Sequence, residues 1–239
     1  MMKQETLTFR ELEARPVVLK LQRPVVARIA TIEDWPLILI DLHTEEGITG
    51  RSYLEPYIIK SMRYLVPALN DLGNLLRGKQ VVPVEFFETA RKSLHFVGYE
   101  GLSMIAAAGL DMAAWDALAK SVRLPLCSLL GGSIGPVKAY NSNGLWLRSP
   151  DVVAAEAIEL VEEGNFIGLK LRMGRENPKE DVAAVEAVRK SVGDGIHLMV
   201  DFNQGLDMAE ALKRCHMIDD FGLDWIEEPI LYDNLDGYT

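Results

Sequence analysis

Six polar residues stand at the ends of three short apolar runs, and their types could build one reactive site. Phe166-Ile-Gly-Leu-Lys-Leu-Arg172 ends in Lys170 and Arg172. His197-Leu-Met-Val-Asp-Phe-Asn203 ends in Asp201 and Asn203, and Leu223-Asp-Trp-Ile-Glu-Glu-Pro229 ends in Glu227 and Glu228. Asp201 and Glu227 offer the hard oxygens that Mg²⁺ takes in an octahedron completed by water and substrate. Adjacent strand residues face opposite ways, so only one of Glu227 and Glu228 can join Asp201. Two carboxylates are a poor cage, and a third ligand is expected. The same acids also read as helix-capping or salt-bridged groups. Lys170 and Arg172 could bind a substrate carboxylate or abstract a proton. A lysine beside another cation or a metal can have its pKa lowered enough to act as a base, whereas arginine, above about 12, is a poorer one. Both also read as cations that neutralise the nearby acids. Asn203 is either a substrate hydrogen-bond donor or a turn residue.

The elements that would position these groups are strands. Each run is short, apolar and rich in β-branched or aromatic residues, as a buried strand is. Helical stretches, Lys179 to Val192 and Met208 to Asp219, lie between them. Strand-helix-strand alternation predicts a parallel sheet with right-handed crossovers, whose active-site face is at the carboxyl ends of the strands. Residues two apart share a face, so Lys170 pairs with Arg172 and Asp201 with Asn203.

Composition narrows the partners. The chain has 239 residues and a formal net charge of -10. That disfavours nucleic acid and anionic membrane as partners, which need a basic face, but not a small anionic substrate held by a local Lys/Arg cluster. Cys127 and Cys215 are the only cysteines, so no disulfide framework or cysteine zinc site is readable. The start, Met-Met-Lys-Gln-Glu-Thr, lacks the apolar core of a signal peptide. No apolar run is expected to reach the roughly 18 residues of a membrane span. A soluble cytoplasmic protein is the expectation.

Along the chain, residues 7–22 read as a strand or two and Gln22 to Trp35 as a loop or flap. Pro36 to Leu42 is a strand, Glu45-Glu-Gly47 a turn, and Ile48 to Leu54 the returning arm of a hairpin. Helical spacing covers Tyr57 to Leu72, Pro83 to Leu94 and Gly101 to Val122, the last with an apolar face of Met104, Ala108, Met112, Trp115 and Leu118. Pro125 to Gly132 connects to a second region. There Val137 to Ser142 is a strand, Pro150 to Glu163 a helix ended by Gly164, and the three runs follow. Strand ends recur about every 30 residues, as repeated βα units do. The expected organisation is an N-terminal α+β domain over residues 1–130, then four strands of a (β/α)₈ barrel over residues 131–239. Four parallel strands leave open edges that closure of a barrel would remove. The four histidines read as structural or solvated, and no nucleophile elbow or phosphate-binding loop is present.

The motifs Leu169-Lys-Leu-Arg172, Met199-Val-Asp-Phe-Asn-Gln204 and Trp225-Ile-Glu-Glu-Pro229 resemble the enolase superfamily, specifically its mandelate racemase-like group. Gly101 to Asp116 and Ser52-Tyr-Leu54 add to the resemblance. It implies an α+β capping domain, a modified (β/α)₈ barrel, Mg²⁺, and removal of the proton α to a carboxylate through an enediolate. It implies that Asp201 and Glu227 are metal ligands, that Lys170 contacts the substrate carboxylate, and that Asn203 lies beside the substrate. Tyr57 and the Gln22–Trp35 flap would close over the site, and Ser142 would touch substrate.

The family pattern for a racemase is Lys-x-Lys, and Arg172 stands at the second position, that of the base. Racemisation needs bases on both faces, whereas dehydration needs one base and an acid to expel a β-hydroxyl. The expected reaction is therefore acid-sugar dehydration, with a mandelate racemase-like racemisation beside it. The substrate would be a small carboxylate, a sugar acid or 2-hydroxy acid, and the protein a homo-oligomer. A third acidic ligand is expected one βα repeat beyond Glu227 and a His-Asp acid/base pair further on. The alternative is a non-catalytic half-barrel that needs a partner.

Overall fold

A computed structural model describes residues 6–239. The polar start, Met1 to Glu5, lies outside the described residues. The chain forms two compact units. The first contains the described residues up to Lys20 together with Asp34–Gly135, and the second contains Leu21–Glu33 together with Pro136–Thr239.

In the first unit β1 (Phe9–Val26), β2 (Thr31–Thr44) and β3 (Thr49–Leu54) form a sheet in the order β1-β2-β3. Alternation along β2 buries Ile38, Ile40 and Leu42, and the opposite residues face out. Gly47, at φ 81, makes the turn into β3. The segment expected as a loop, Gln22 to Trp35, is instead largely strand. Only Ala27 to Ala30 turns, closed by Ala27 N–H donating to Ala30 O at 3.0 Å. Val, Ile and Thr at 25, 26, 31 and 32 extend both arms.

Helices α1 (Met62–Leu76), α2 (Pro83–Ser93) and α3 (Leu102–Ser121) cover that sheet, and α4 (Leu126–Leu129) is one turn. The expected apolar face of α3 is wrong. Ala106, Ala107, Leu110, Ala113, Ala114 and Ala117 are buried, while Met112 is exposed and Met104, Trp115 and Leu118 are only partly covered. Close approach explains the choice. A β-carbon on Gly50 of β3 would lie 2.0 Å from Ala113 O, so only the small-residue face of α3 can come this near the sheet. The expectation that no segment is long and apolar enough for a membrane is also corrected. Leu102–Ser121 passes by length and composition. It does so because it is alanine-rich, and that alanine face is packed in a core.

In the second unit β4 (Gly168–Arg172), β5 (His197–Asp201) and β6 (Ile226–Glu227) form a parallel sheet in the order β4-β5-β6. Helix α6 (Pro178–Val192) connects β4 to β5, α7 (Met208–Ile218) lies between β5 and β6, and α5 (Pro150–Glu162) precedes β4. Asn177 caps α6 by accepting from Lys179 N–H at 3.1 Å, and Asp207 caps α7 by accepting from Glu210 N–H at 2.9 Å. The core includes Leu169, Leu171, Leu198, Val200, Val185 and Leu160. The expected strand Val137–Ser142 is reduced to one parallel bridge, Asn141 with Leu169. Asn141 N–H donates to Gly168 O, and Lys170 N–H donates to Asn141 O. Ahead of it Pro136 has no N–H to pair and Val137 is 89% exposed. The segment lies on the open edge of the sheet, where one-sided pairing does not extend the ladder.

Candidate active site

Strand register brings the predicted groups together. Arg172 pairs with Asp201 across β4 and β5, and Asp201 pairs with Glu227 across β5 and β6. All sit at the carboxyl ends of parallel strands. Lys170 Nζ lies between the two acids, 2.9 Å from Glu227 Oε1 and 3.3 Å from Asp201 Oδ2. Arg172 Nη1 is 3.2 Å from the same Asp201 Oδ2. Asn203 N–H donates to Asp201 Oδ1 at 2.7 Å, and its side-chain amide donates to Oδ2 at 3.0 Å. Glu228 turns away to accept from Gln204 Nε2 at 3.0 Å. Ser142 follows the bridging Asn141 at the end of the first barrel segment. Tyr57 belongs to the first unit, where it is exposed and its ring meets Trp35 edge-on at 5.8 Å.

The electrostatics are those of a buried cluster of two acids and two cations. Asp201 is almost fully buried, and Lys170 and Arg172 are each about nine-tenths buried. Burial pulls the Arg172 guanidinium below its usual pKa against the opposing charges of Asp201 and Glu227. Burial pushes Glu227 up, but the hydrogen bonds from Lys170 and Trp225 outweigh it and hold the carboxyl below its usual range.

Several neighbours were not legible as site residues. Trp225 Nε1 donates to Glu227 Oε2 at 3.0 Å, and the Trp225 ring meets Tyr140 at 5.6 Å. The signal for Trp225 was its position two before Glu227, on the same strand face. Trp146 stacks over the Arg172 guanidinium at 5.0 Å and carried no motif at all. Asn203, Gln204 and Glu228 all have positive φ, at 48°, 60° and 43°, which no glycine announced. Such conformations cost energy and persist where the surroundings over-determine them.

The loop after β4 is fixed from beneath. Asp181, on α6, accepts from Gly174 and Arg175 N–H at 3.1 Å, from Arg175 Nη1 at 3.1 Å and from Arg214 Nη1 at 2.8 Å. From above, Arg28 at the hairpin tip donates to Gly174 O at 2.9 Å, and Leu147 N–H donates to Val26 O at 3.1 Å.

The donor set suits a hard divalent ion. Asp201 and Glu227 already share one compact cation, the Lys170 ammonium, and could offer two of the six oxygens that Mg²⁺ takes. A different trio, Glu13, Asp41 and His43, also has its ligand atoms within 4.8 Å of one another. That trio lies in the first unit and is held by arginines. Arg15 bonds Glu13 at 2.8 Å and Asp41 at 2.7 Å, and Arg51 bonds Asp41 at 3.2 Å. It is an ion-pair network on the capping sheet and separate from the Asp201–Glu227 pair.

Comparison with known proteins gives two family matches. Residues 10–131 match the mandelate racemase / muconate lactonizing enzyme N-terminal domain, and residues 152–239 match the enolase C-terminal domain-like family. An enolase from alpha pretobacterium bal199, crystallised with bound Mg, is 66% identical with a TM-score of 0.95, over 98% of this chain and 65% of that one. An enolase from Bradyrhizobium complexed with magnesium and mandelic acid is 36% identical with a TM-score of 0.91, over 100% of this chain and 65% of that one. The L-talarate/galactarate dehydratase of Salmonella typhimurium is 36% identical over 143 residues, 60% of this chain and 36% of the dehydratase. The chain therefore spans less than two thirds of these relatives. Acid-sugar dehydratases and racemases or epimerases both occur among the wider matches.

Proposed function

Because the chain belongs to the mandelate racemase / muconate lactonizing enzyme family of the enolase superfamily, we propose that it carries half of the site of a Mg²⁺-dependent acid-sugar dehydratase. The observation that carries this reading is the Lys170 ammonium set between Asp201 and Glu227 on neighbouring strand ends. Asp201 and Glu227 would hold the metal, which when bound supplies a Lewis acid for the substrate carboxylate. Lys170 and Asn203, whose nitrogens both meet Asp201 Oδ2, would fix that carboxylate, with Ser142 as a further substrate contact. Asn203, Trp225 and the strand register hold the two acids in place, so little reorganisation accompanies the reaction.

Removal of the α proton leaves an enediolate. Loss of the β-hydroxyl, which takes a proton from an acid and departs as water, gives an enol that tautomerises to a 2-keto acid. Atoms and electrons balance without a redox partner. Arg172, buried and paired with Asp201, suits a fixed donor better than a base, because a guanidinium holds its proton far more strongly than an ammonium. Proton transfer on the other face falls, on this reading, to the His-Asp pair that the family resemblance expects further along the barrel. A racemase would need a base at the Arg172 position too, which is why dehydration is preferred.

The test is to incubate the full-length protein with Mg²⁺ and a panel of sugar acids and to assay for 2-keto product. Keto-acid formation is expected. A racemised substrate without keto acid would overturn the dehydratase reading and leave the racemase.

A further inference from the structure

Trp146 and Arg172 present donors that the protein itself does not satisfy. Trp146 Nε1, Arg172 Nε and Arg172 Nη1 are buried and have no hydrogen-bond partner. Nη1 faces Asp201 Oδ2 at 3.2 Å as an ion pair only. Trp146 is 3% exposed and Arg172 8%. Buried donors are nearly always paired, so those left over call for an acceptor such as a water, an ion or a ligand. The Arg172 guanidinium lies 5.0 Å from the centre of the Trp146 ring, which puts the unpaired donors in one neighbourhood.

The platform is also built rather than incidental. Leu145, just before the tryptophan, has φ 52, a conformation costly for a leucine. It is held by its own N–H donating to Glu156 Oε2 at 3.1 Å and by Arg172 N–H donating to Leu145 O at 2.9 Å. The hydrogen bond from Leu147 N–H to Val26 O closes the far side. Backbone strain, three hydrogen bonds and the stack fix a buried indole N–H beside the Arg172 guanidinium.

We infer that Trp146 N–H and the Arg172 guanidinium together donate hydrogen bonds to a hydroxyl oxygen of the substrate, and so select hydroxylated carboxylic acids over acids with an apolar group there. This rests on the functional reading above and narrows its substrate class. A pocket built to hydrogen-bond a hydroxyl discriminates strongly, because an apolar competitor leaves the buried donors unpaired. Arg172 is thereby a specificity residue in place of a base.

The experiment is calorimetric binding to the full-length protein with Mg²⁺, using a panel of six-carbon sugar acids and mandelate. Mandelate keeps the 2-hydroxy carboxylate but carries a phenyl ring in place of the hydroxyl chain. Trp146→Phe keeps the ring over Arg172 and deletes only the N–H. We expect it to weaken the best sugar acid about tenfold and leave mandelate unchanged. Arg172→Lys, which keeps the charge and removes the fork, is expected to narrow the same preference and serves if Trp146→Phe does not fold. An equal effect on both ligand types, or wild-type preference for mandelate over every sugar acid, overturns the inference while the site reading stands. Failure of every carboxylate to bind in the presence of Mg²⁺ sinks the functional reading itself, and the inference with it.

Discussion

Arg28 lies so close to Gly205 that a β-carbon on the glycine would fall 2.8 Å from Arg28 Cδ and 3.0 Å from its Cβ. Gly174 forms the other wall of the slot, 3.2 Å from Arg28 Cδ by the same measure. The two glycines follow β4 and β5, the strands that carry Lys170, Arg172 and Asp201. The hairpin tip thus touches the loops behind the candidate site through one side chain.

Gly205→Ala is expected to push Arg28 out of this slot. The new methyl would also meet Phe202 O at 3.0 Å, which is backbone and yields less readily than a flexible stem. A cost of about 1–3 kcal/mol is expected, as for overpacking elsewhere. Arg28→Ala alone should lose about 1 kcal/mol with the hydrogen bond to Gly174 O. The double variant should cost less than the sum, because removing the arginine makes room for the methyl. Urea midpoints check this, and strict additivity would mean that the slot is not shared.

Gly50→Ala should be more damaging than Gly109→Ala, although both glycines sit between the capping sheet and α3. At Gly50 the added carbon meets backbone, Ala113 O at 2.0 Å, and strand and helix must part. At Gly109 it meets the ends of Ile40 and Leu54 side chains at 2.6 and 3.0 Å, which can turn aside. About 3 kcal/mol or more is expected for the first and about 1 kcal/mol for the second. Thermal and chemical unfolding of the two variants gives the comparison, and the reverse order would contradict the packing described.

Asp41 gives an acid-side prediction. Burial pushes its carboxyl up, but the Arg15 hydrogen bond and the charges of Arg15 and Arg51 outweigh this and hold it below the usual carboxylate range. Its folded pKa is thus lower than its unfolded one. The stability it contributes is present above the ordinary value, near 3.9, and is lost as pH falls through the folded value. Wild type should exceed Asp41→Asn by about 0.5–1 kcal/mol at neutral pH, given how exposed both arginines are. That gap should be flat down to about pH 5 and close below about pH 4. Urea titrations at stepped pH measure it, and a gap that stays open at pH 3 would argue against the pairing.

Much of the candidate cluster was readable because strand chemistry is written locally. Apolar runs ending in Lys170, Asp201 and Glu227 place those residues at one rim once the strands are parallel, and period two separates Glu227 from Glu228. What was not readable is set by partners distant in sequence. The buried face of α3 follows from how near β3 comes at Gly50, so alanines win over Met104 and Met112, reversing an inference from side-chain size. The donors of Trp146 became informative only with Arg172 stacked on the ring. The positive φ values at Asn203, Gln204 and Glu228 arise where two loop segments bond one another, Gln204 N–H to Glu228 O at 2.7 Å, and no local residue type encodes that.

The hairpin tip Leu21–Glu33 groups with residues that come much later in the chain. Arg28 and the carbonyl it clasps are 146 positions apart. During synthesis the first unit can close its own core while the tip leaves the ribosome with nothing to grip, and the tip waits until the second unit emerges. No single cut in the connection near Gly135 releases a second unit with all its contacts, because one of its surfaces is supplied by the first strands to be made.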